Sequence, residues 1–173
     1  MKLSRSGLTF LVLPILAFAV VLVLTPAAKA GDPAQEPAHQ AMMTRGSKLM
    51  GFDLSKVNHH FYLIANGGVV EITAKDPDDK QTILAIQKHL EEQAKAFEKG
   101  NFDIPTQVHG RVPDGVPMMK KLRNEINFNA RPNDDGAALR MLTVNPAARE
   151  SIYEFIRFQI NEHHTGDPLQ VER

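Results

Sequence analysis

The spacing of apolar positions divides the chain into an apolar leader, a mixed stretch and two similar blocks. Leu8 to Leu24 is an uncharged run, mostly Leu, Val, Ala and Phe. Residues 31–50 keep no period and scatter Gly31, Pro33, Pro37 and Gly46 among polar residues, which predicts a flexible lead-in. Asn58 to Ala65 (NHHFYLIA) is aromatic and apolar enough to predict a strand. Asn66-Gly67-Gly68 predicts a hairpin turn, because these residues tolerate positive φ, and Val69 to Ala74 predicts the return strand. Asp76-Pro77-Asp78-Asp79 ends that strand and opens a helix over about 79–99, where Ile83, Ile86, Leu90, Ala94 and Phe97 recur at helical spacing. Gly100 is placed to close it. Residues 101–117 hold Pro105, Pro113 and Pro117 and predict a long loop, which in a compact domain is either functional or mobile. A short helix over 118–124 follows. A strand is expected around Ile126, Phe128 and Ala130, a turn over 131–136, and a strand over 139–144. Asn145-Pro146 opens a second long helix over 147–163, closed by Gly166, and the tail over 168–173 is expected to be loose.

Written out, the elements repeat: strand, turn, strand, helix, twice. Placing Asp76-Pro77 on Asn145-Pro146 sets Ile83 on Ile152 and Ile86 on Phe155. Each block has one apolar sheet face and one apolar helix stripe, and neither block alone can bury both. The expected fold class is therefore α+β: two ββα units over 51–167, forming a four-stranded, mainly antiparallel sheet with two helices on one face. The other sheet face is left for solvent or a partner, and a protein partner or homodimerisation through it is the expectation.

The leader changes the reading of charge. Lys2 and Arg5 precede the apolar run, and Ala28-Lys29-Ala30 is a small-x-small cleavage site, so residues 1–30 read as a secretory signal peptide. Retention of this segment is the one route to membrane attachment. The full chain of 173 residues balances 20 basic against 20 acidic side chains, but removing Lys2, Arg5 and Lys29 leaves 17 against 20. A mildly acidic mature chain, whose densest basic patch is only Lys120-Lys121-Arg123, argues against nucleic-acid binding. The expected location is periplasmic or secreted. The absence of cysteine removes disulfides, thiolate metal sites and a cysteine nucleophile.

With thiolates gone, histidine is the main chemical resource, at seven residues. His39 falls in the lead-in and is set aside. His59 and His60 are adjacent on a strand and point to opposite faces, so at most one serves a given site. His89 flanks the apolar stripe of its helix. His163 continues the stripe of the second helix, about 20° from Ile152 at 100° per residue. His109 stands in the proline-bounded loop, six residues after Asp103. His60, His89, His109 and His163 are the candidate metal ligands, for copper or zinc, both of which suit imidazole. His109 and Asp103 are the candidate acid–base pair of a small hydrolase or transferase. No Gly-x-Ser-x-Gly elbow and no P-loop occurs. The residues thus favour a non-catalytic binding or interaction module, ahead of a His-coordinated Cu/Zn protein and of an enzyme.

Several words bring in a resemblance. These are Met50-Gly51-Phe52-Asp53, His59-His60-Phe61 leading to Gly67-Gly68, and Gly100-Asn101-Phe102-Asp103-Ile104-Pro105 with His109. Gly115-Val116-Pro117-Met118-Met119-Lys120 and Phe155-Ile156-Arg157-Phe158-Gln159-Ile160, running through Glu162-His163 to Thr165-Gly166-Asp167, complete them. On these words the segment 51–167 resembles a family of small exported bacterial proteins of uncertain function. Some of its members carry an aspartate carbamoyltransferase label. The Ser-Thr-Arg-Thr phosphate site of that enzyme's catalytic chain and the zinc-binding cysteines of its regulatory chain have no counterpart here.

Overall fold

The computed structural model describes residues 36–171; the leader, where the signal-peptide expectation falls, lies outside them. No helix among the described residues is long and apolar enough to cross a membrane. The elements are α1 (Glu36–Met50), β1 (Val57–Ile64), β2 (Gly67–Ala74), α2 (Lys80–Glu98), α3 (Asp103–His109), α4 (Val116–Lys121), β3 (Asn127–Pro132), β4 (Gly136–Leu142) and α5 (Pro146–His163). The four strands form one sheet in the order β1-β2-β4-β3, antiparallel throughout. The α+β class and the two ββα units are as the apolar pattern predicts.

The hairpin is tighter than its glycines suggested. Ile64 pairs with Gly67, so Ala65-Asn66 is the two-residue loop and Gly67 already belongs to β2. Gly67 holds φ 149°, and a Cβ there would collide with the Met141 carbonyl of β4. Gly68 serves packing: a Cβ on it would sit 2.6 Å from Cγ1 of Ile156 in α5. The helix therefore comes close to the sheet at β2.

Both long helices begin on side-chain caps. Asp79 accepts from the Thr82 amide, and Asn145 accepts from the amides of Ala147 and Ala148. The equivalent cap positions are thus Asp79 and Asn145, and the sequence alignment of Asp76 with Asn145 is three residues out. Asp76 instead closes the preceding turn, accepting from the Asp78 amide at 2.9 Å.

The two units interlock. α2 packs mainly on β3 and β4, and α5 on β1 and β2, so each long helix covers the other unit's hairpin. One core results, filled by residues such as Leu63, Ile86, Leu139, Met141, Ile152 and Ile156.

Two expectations need correction. The described part of the lead-in, 36–50, is helix: α1 buries Met42, sends the Arg45 guanidinium to the Val108 carbonyl at 2.9 Å and sets Gly46 against Leu54. Its order comes from tertiary contacts, which a mixed polar stretch does not advertise. The long loop over 101–117 holds α3 and the start of α4. Gly110 and Gly115, both at positive φ, punctuate it, and a Cβ on Gly115 would collide with the Ser151 carbonyl of α5. The tail over 168–171 is exposed and has no helix or strand; the Leu169 carbonyl accepts from Arg157 at 3.2 Å.

The outer sheet face mixes half-buried Tyr62, Ile64, Val69 and Leu142 with polar Asn58, Glu71 and Arg140.

Candidate functional site

α2 and α5 lie side by side on the sheet, and α3 bridges the gap between them. Beneath α3 is a cavity of about 60 Å³. Its floor is apolar sheet, from Phe61, Val70, Ile72 and Leu139, and its walls include Leu90, Phe97 and Phe155. The polar lining is His59 from β1, His89 and Gln93 from α2, His109 from α3, and Gln159 and His163 from α5. Met50, the last residue of α1, completes the rim. Four imidazoles from four elements therefore reach one small space.

Each is aimed by a simple rule. His59 shares the inner face of β1 with Phe61 and Leu63, because alternate strand residues point the same way. His89 and Gln93 are one helical turn apart on α2, and Gln159 and His163 stand in the same relation on α5. His109 ends α3, where Gly110 at φ 69° turns the chain away. α5 is fastened to β1 twice. The Tyr153 hydroxyl donates to the Ile64 carbonyl at 2.9 Å. After the helix, Asp167 accepts from the Phe61 amide at 2.9 Å and meets Nδ1 of His60 at 3.0 Å. These ties hold His163 over His59.

The ring centres of His59 and His163 are 5.3 Å apart and nearly parallel. Those of His109 and His163 are 5.2 Å apart and nearly perpendicular. His163 stands between the other two. His89 meets the buried Phe52 ring edge-on at 5.7 Å.

The polar accounting is incomplete. Nε2 of His59, Nδ1 of His109 and Nε2 of Gln159 are buried without a hydrogen-bond partner. Such groups cost about 1–3 kcal/mol each when nothing satisfies them, so they point to a missing companion. His109 Nε2 lies 3.0 Å from Gln159 Oε1, which places the ring proton on Nε2 and leaves a lone pair on Nδ1. That nitrogen is 3.7 Å from Glu162 Oε2, beyond hydrogen-bond range, and Glu162 is paired with Arg111 at 3.0 Å.

The rings are held neutral. Burial, reinforced by the neighbouring His89 and His60 rings, pushes His59 down to about 4. Burial alone pushes His89 down to about 4. Burial and the adjacent His59 and His109 rings hold His163 well below the ordinary value. Burial lowers His109 as well, against an upward pull from Gln159 and Glu162. Neutral imidazoles can accept hydrogen bonds or offer lone pairs to a metal.

The sequence-predicted set is changed in one member. His89, His109 and His163 line the cavity, while His60 points to the outer face beside Tyr62 and pairs with Asp167. His59 takes its place, as the alternation of a strand requires once one face is buried. His89 is 8% exposed, so it is a core residue rather than a boundary one. Asp103 opens α3 and is exposed, whereas His109 ends it and is buried. The six-residue rise between them is about 9 Å, and the acid–base pair is not assembled. Gln93, Gln159 and Asp167 were missed. Helical spacing from His89 and His163 could have flagged the glutamines; no local signal announces Asp167.

As the side chains stand, no three His, Asp or Glu among the described residues converge closely enough to hold a metal ion. Comparison of the chain with family models, with curated proteins and with solved structures returned no match.

Proposed function

We propose that this is a non-catalytic binding protein, exported by its leader, whose ligand occupies the imidazole-lined cavity. The observation that carries the reading is the convergence of His59, His89, His109 and His163 on one apolar space holding three unpartnered polar atoms. Chemistry favours binding over catalysis. No Ser, Thr, Lys, Asp or Glu lines the cavity, so its polar groups are imidazoles and amides alone. The segments that carry the family resemblance supply much of this lining, from Met50, His59 and Phe61 to His109, Phe155, Gln159 and His163.

Size bounds the ligand. Sites for drug-sized molecules span about 300–1,000 Å³, and a cavity of about 150 Å³ is filled by benzene. At about 60 Å³ this one suits an ion or a molecule of a few heavy atoms.

The test is ring-¹⁵N NMR of histidine-labelled protein with xenon, Zn(II) and Cu(I) added in turn. At least one probe is expected to shift His59, His109 and His163 saturably, leave His164 unmoved and raise the melting temperature. Three silent titrations would remove the cavity as a binding site.

A further inference from the structure

Resting on that reading and narrowing it, we propose that the ligand is a neutral short-chain alcohol, its hydroxyl serving the unpartnered nitrogens of Gln159 and His59 and its alkyl group lying on the apolar floor.

Charge bounds the ligand first. No Asp, Glu, Lys or Arg lines the cavity. Glu162, beside His163 in sequence, is paired with Arg111 at 3.0 Å. Burial keeps the His59 and His89 rings uncharged at neutral pH, so they supply no positive charge for an anion. A carboxylate or an ammonium ion would lie there without a counter-charge, and an unpaired buried charge is strongly disfavoured. Among the described residues no three His, Asp or Glu converge on a metal ion either. A neutral molecule is what this lining accepts.

Polarity then selects the functional group. Gln159 is 4% exposed, and its Oε1 accepts from Nε2 of His109 at 3.0 Å. Its own Nε2 is buried without a partner and offers N–H donors to an oxygen. Nε2 of His59 is buried and unpartnered as well, and in a neutral ring that nitrogen either gives or takes one hydrogen. A hydroxyl gives and takes, so it serves the amide together with either tautomer of His59. A carbonyl oxygen only accepts, and a hydrocarbon leaves both nitrogens unmet.

Size and floor select the rest. One water needs about 10–15 Å³ of such volume, so a cavity of about 60 Å³ holds about four heavy atoms. That suits ethanol or propanol. The floor of Phe61, Val70, Ile72 and Leu139 presents only apolar side chains, whose burial against an alkyl group is favourable. A file of waters would lack polar partners over that floor, since each needs two to four.

The experiment is NMR of the full ¹⁵N-labelled protein, reading the Gln159 side-chain amide and the His59 ring. Propanol is titrated against acetate and ethylammonium, charged molecules of similar size, and against xenon as an apolar filler. Propanol is expected to shift both groups saturably and leave His164 unmoved, while neither ion gives a saturable shift. Gln159→Leu should weaken propanol roughly 3–10-fold, the worth of one hydrogen bond, and leave xenon binding unchanged. The comparison of propanol with the two ions needs no variant, so it decides the matter even where the substitution unfolds the chain. Acetate or ethylammonium binding as well as propanol, propanol binding equally to Gln159→Leu, or ordered water that propanol does not displace overturns the alcohol assignment. Uptake of xenon, Zn(II) or Cu(I) in that case leaves the cavity reading standing, whereas silence from every probe removes both.

Discussion

His59 and His89 are buried as neutral rings at about 4, against an ordinary value near 6.5. The unfolded chain therefore takes up protons first as pH falls. Stability contributed by these rings is complete above about 6.5 and is lost progressively toward about 4. Between pH 7 and 5 each acts against the fold by about 2 kcal/mol. Urea melts of the metal-free protein should show a steady fall in midpoint across this range; a flat profile would mean that the rings are charged or exposed. Asp167 works through geometry. Burial raises its carboxyl, but hydrogen bonds from His60, Thr165 and the Phe61 amide more than offset this and hold it below the usual value. Its contribution is present above the ordinary carboxylate range and lost as pH falls through the folded value. Asp167→Ala removes the acceptor of the Phe61 amide and should cost about 1–3 kcal/mol. Hydrogen exchange at Phe61 should accelerate, with Leu63 largely unaffected.

Among the elements, α3 roofs the cavity, and α4 packs on α5. Gly115 lets α4 approach α5, and Gly115→Val places a side chain into the Ser151 carbonyl at a positive φ. The expected loss is 3 kcal/mol or more, of the order seen for strained, overpacked sites, measurable by thermal unfolding. Arg45→Ala should loosen α1 from α3 through loss of the Val108 carbonyl contact, with a smaller cost of about 1 kcal/mol. The elements with strong apolar period were legible in the sequence: both hairpins, α2 and α5. Their boundaries moved by a few residues because hairpin registry and caps, at Ala65-Asn66 and Asp79, are set by pairing rather than by composition. α1 and α3 were not legible. Their apolar residues are too sparse for a periodic signal, and each is ordered by the other and by α5. The site was half legible: His163 announced itself by stripe position and His89 by helix, while choosing His59 over His60 needed the buried face of β1.

At the scale of the whole molecule, the two ββα units depend on each other. With α2 mainly over β3 and β4, and α5 over β1 and β2, each unit's helix rests chiefly on the other unit's strands. Separate fragments 36–100 and 101–171 should lack cooperative unfolding alone and regain it when mixed, as circular dichroism would show. The interlock also places the cavity, because its lining comes from both halves and exists only once they have joined. The account's central claim is that this shared space is a ligand site, and the ring-¹⁵N titrations with xenon, Zn(II) and Cu(I) test it most directly. The account predicts saturable shifts of His59, His109 and His163 with at least one probe, and none at His164. Shifts confined to His39, His60 or His164, or no shift with any of the three probes, would contradict it.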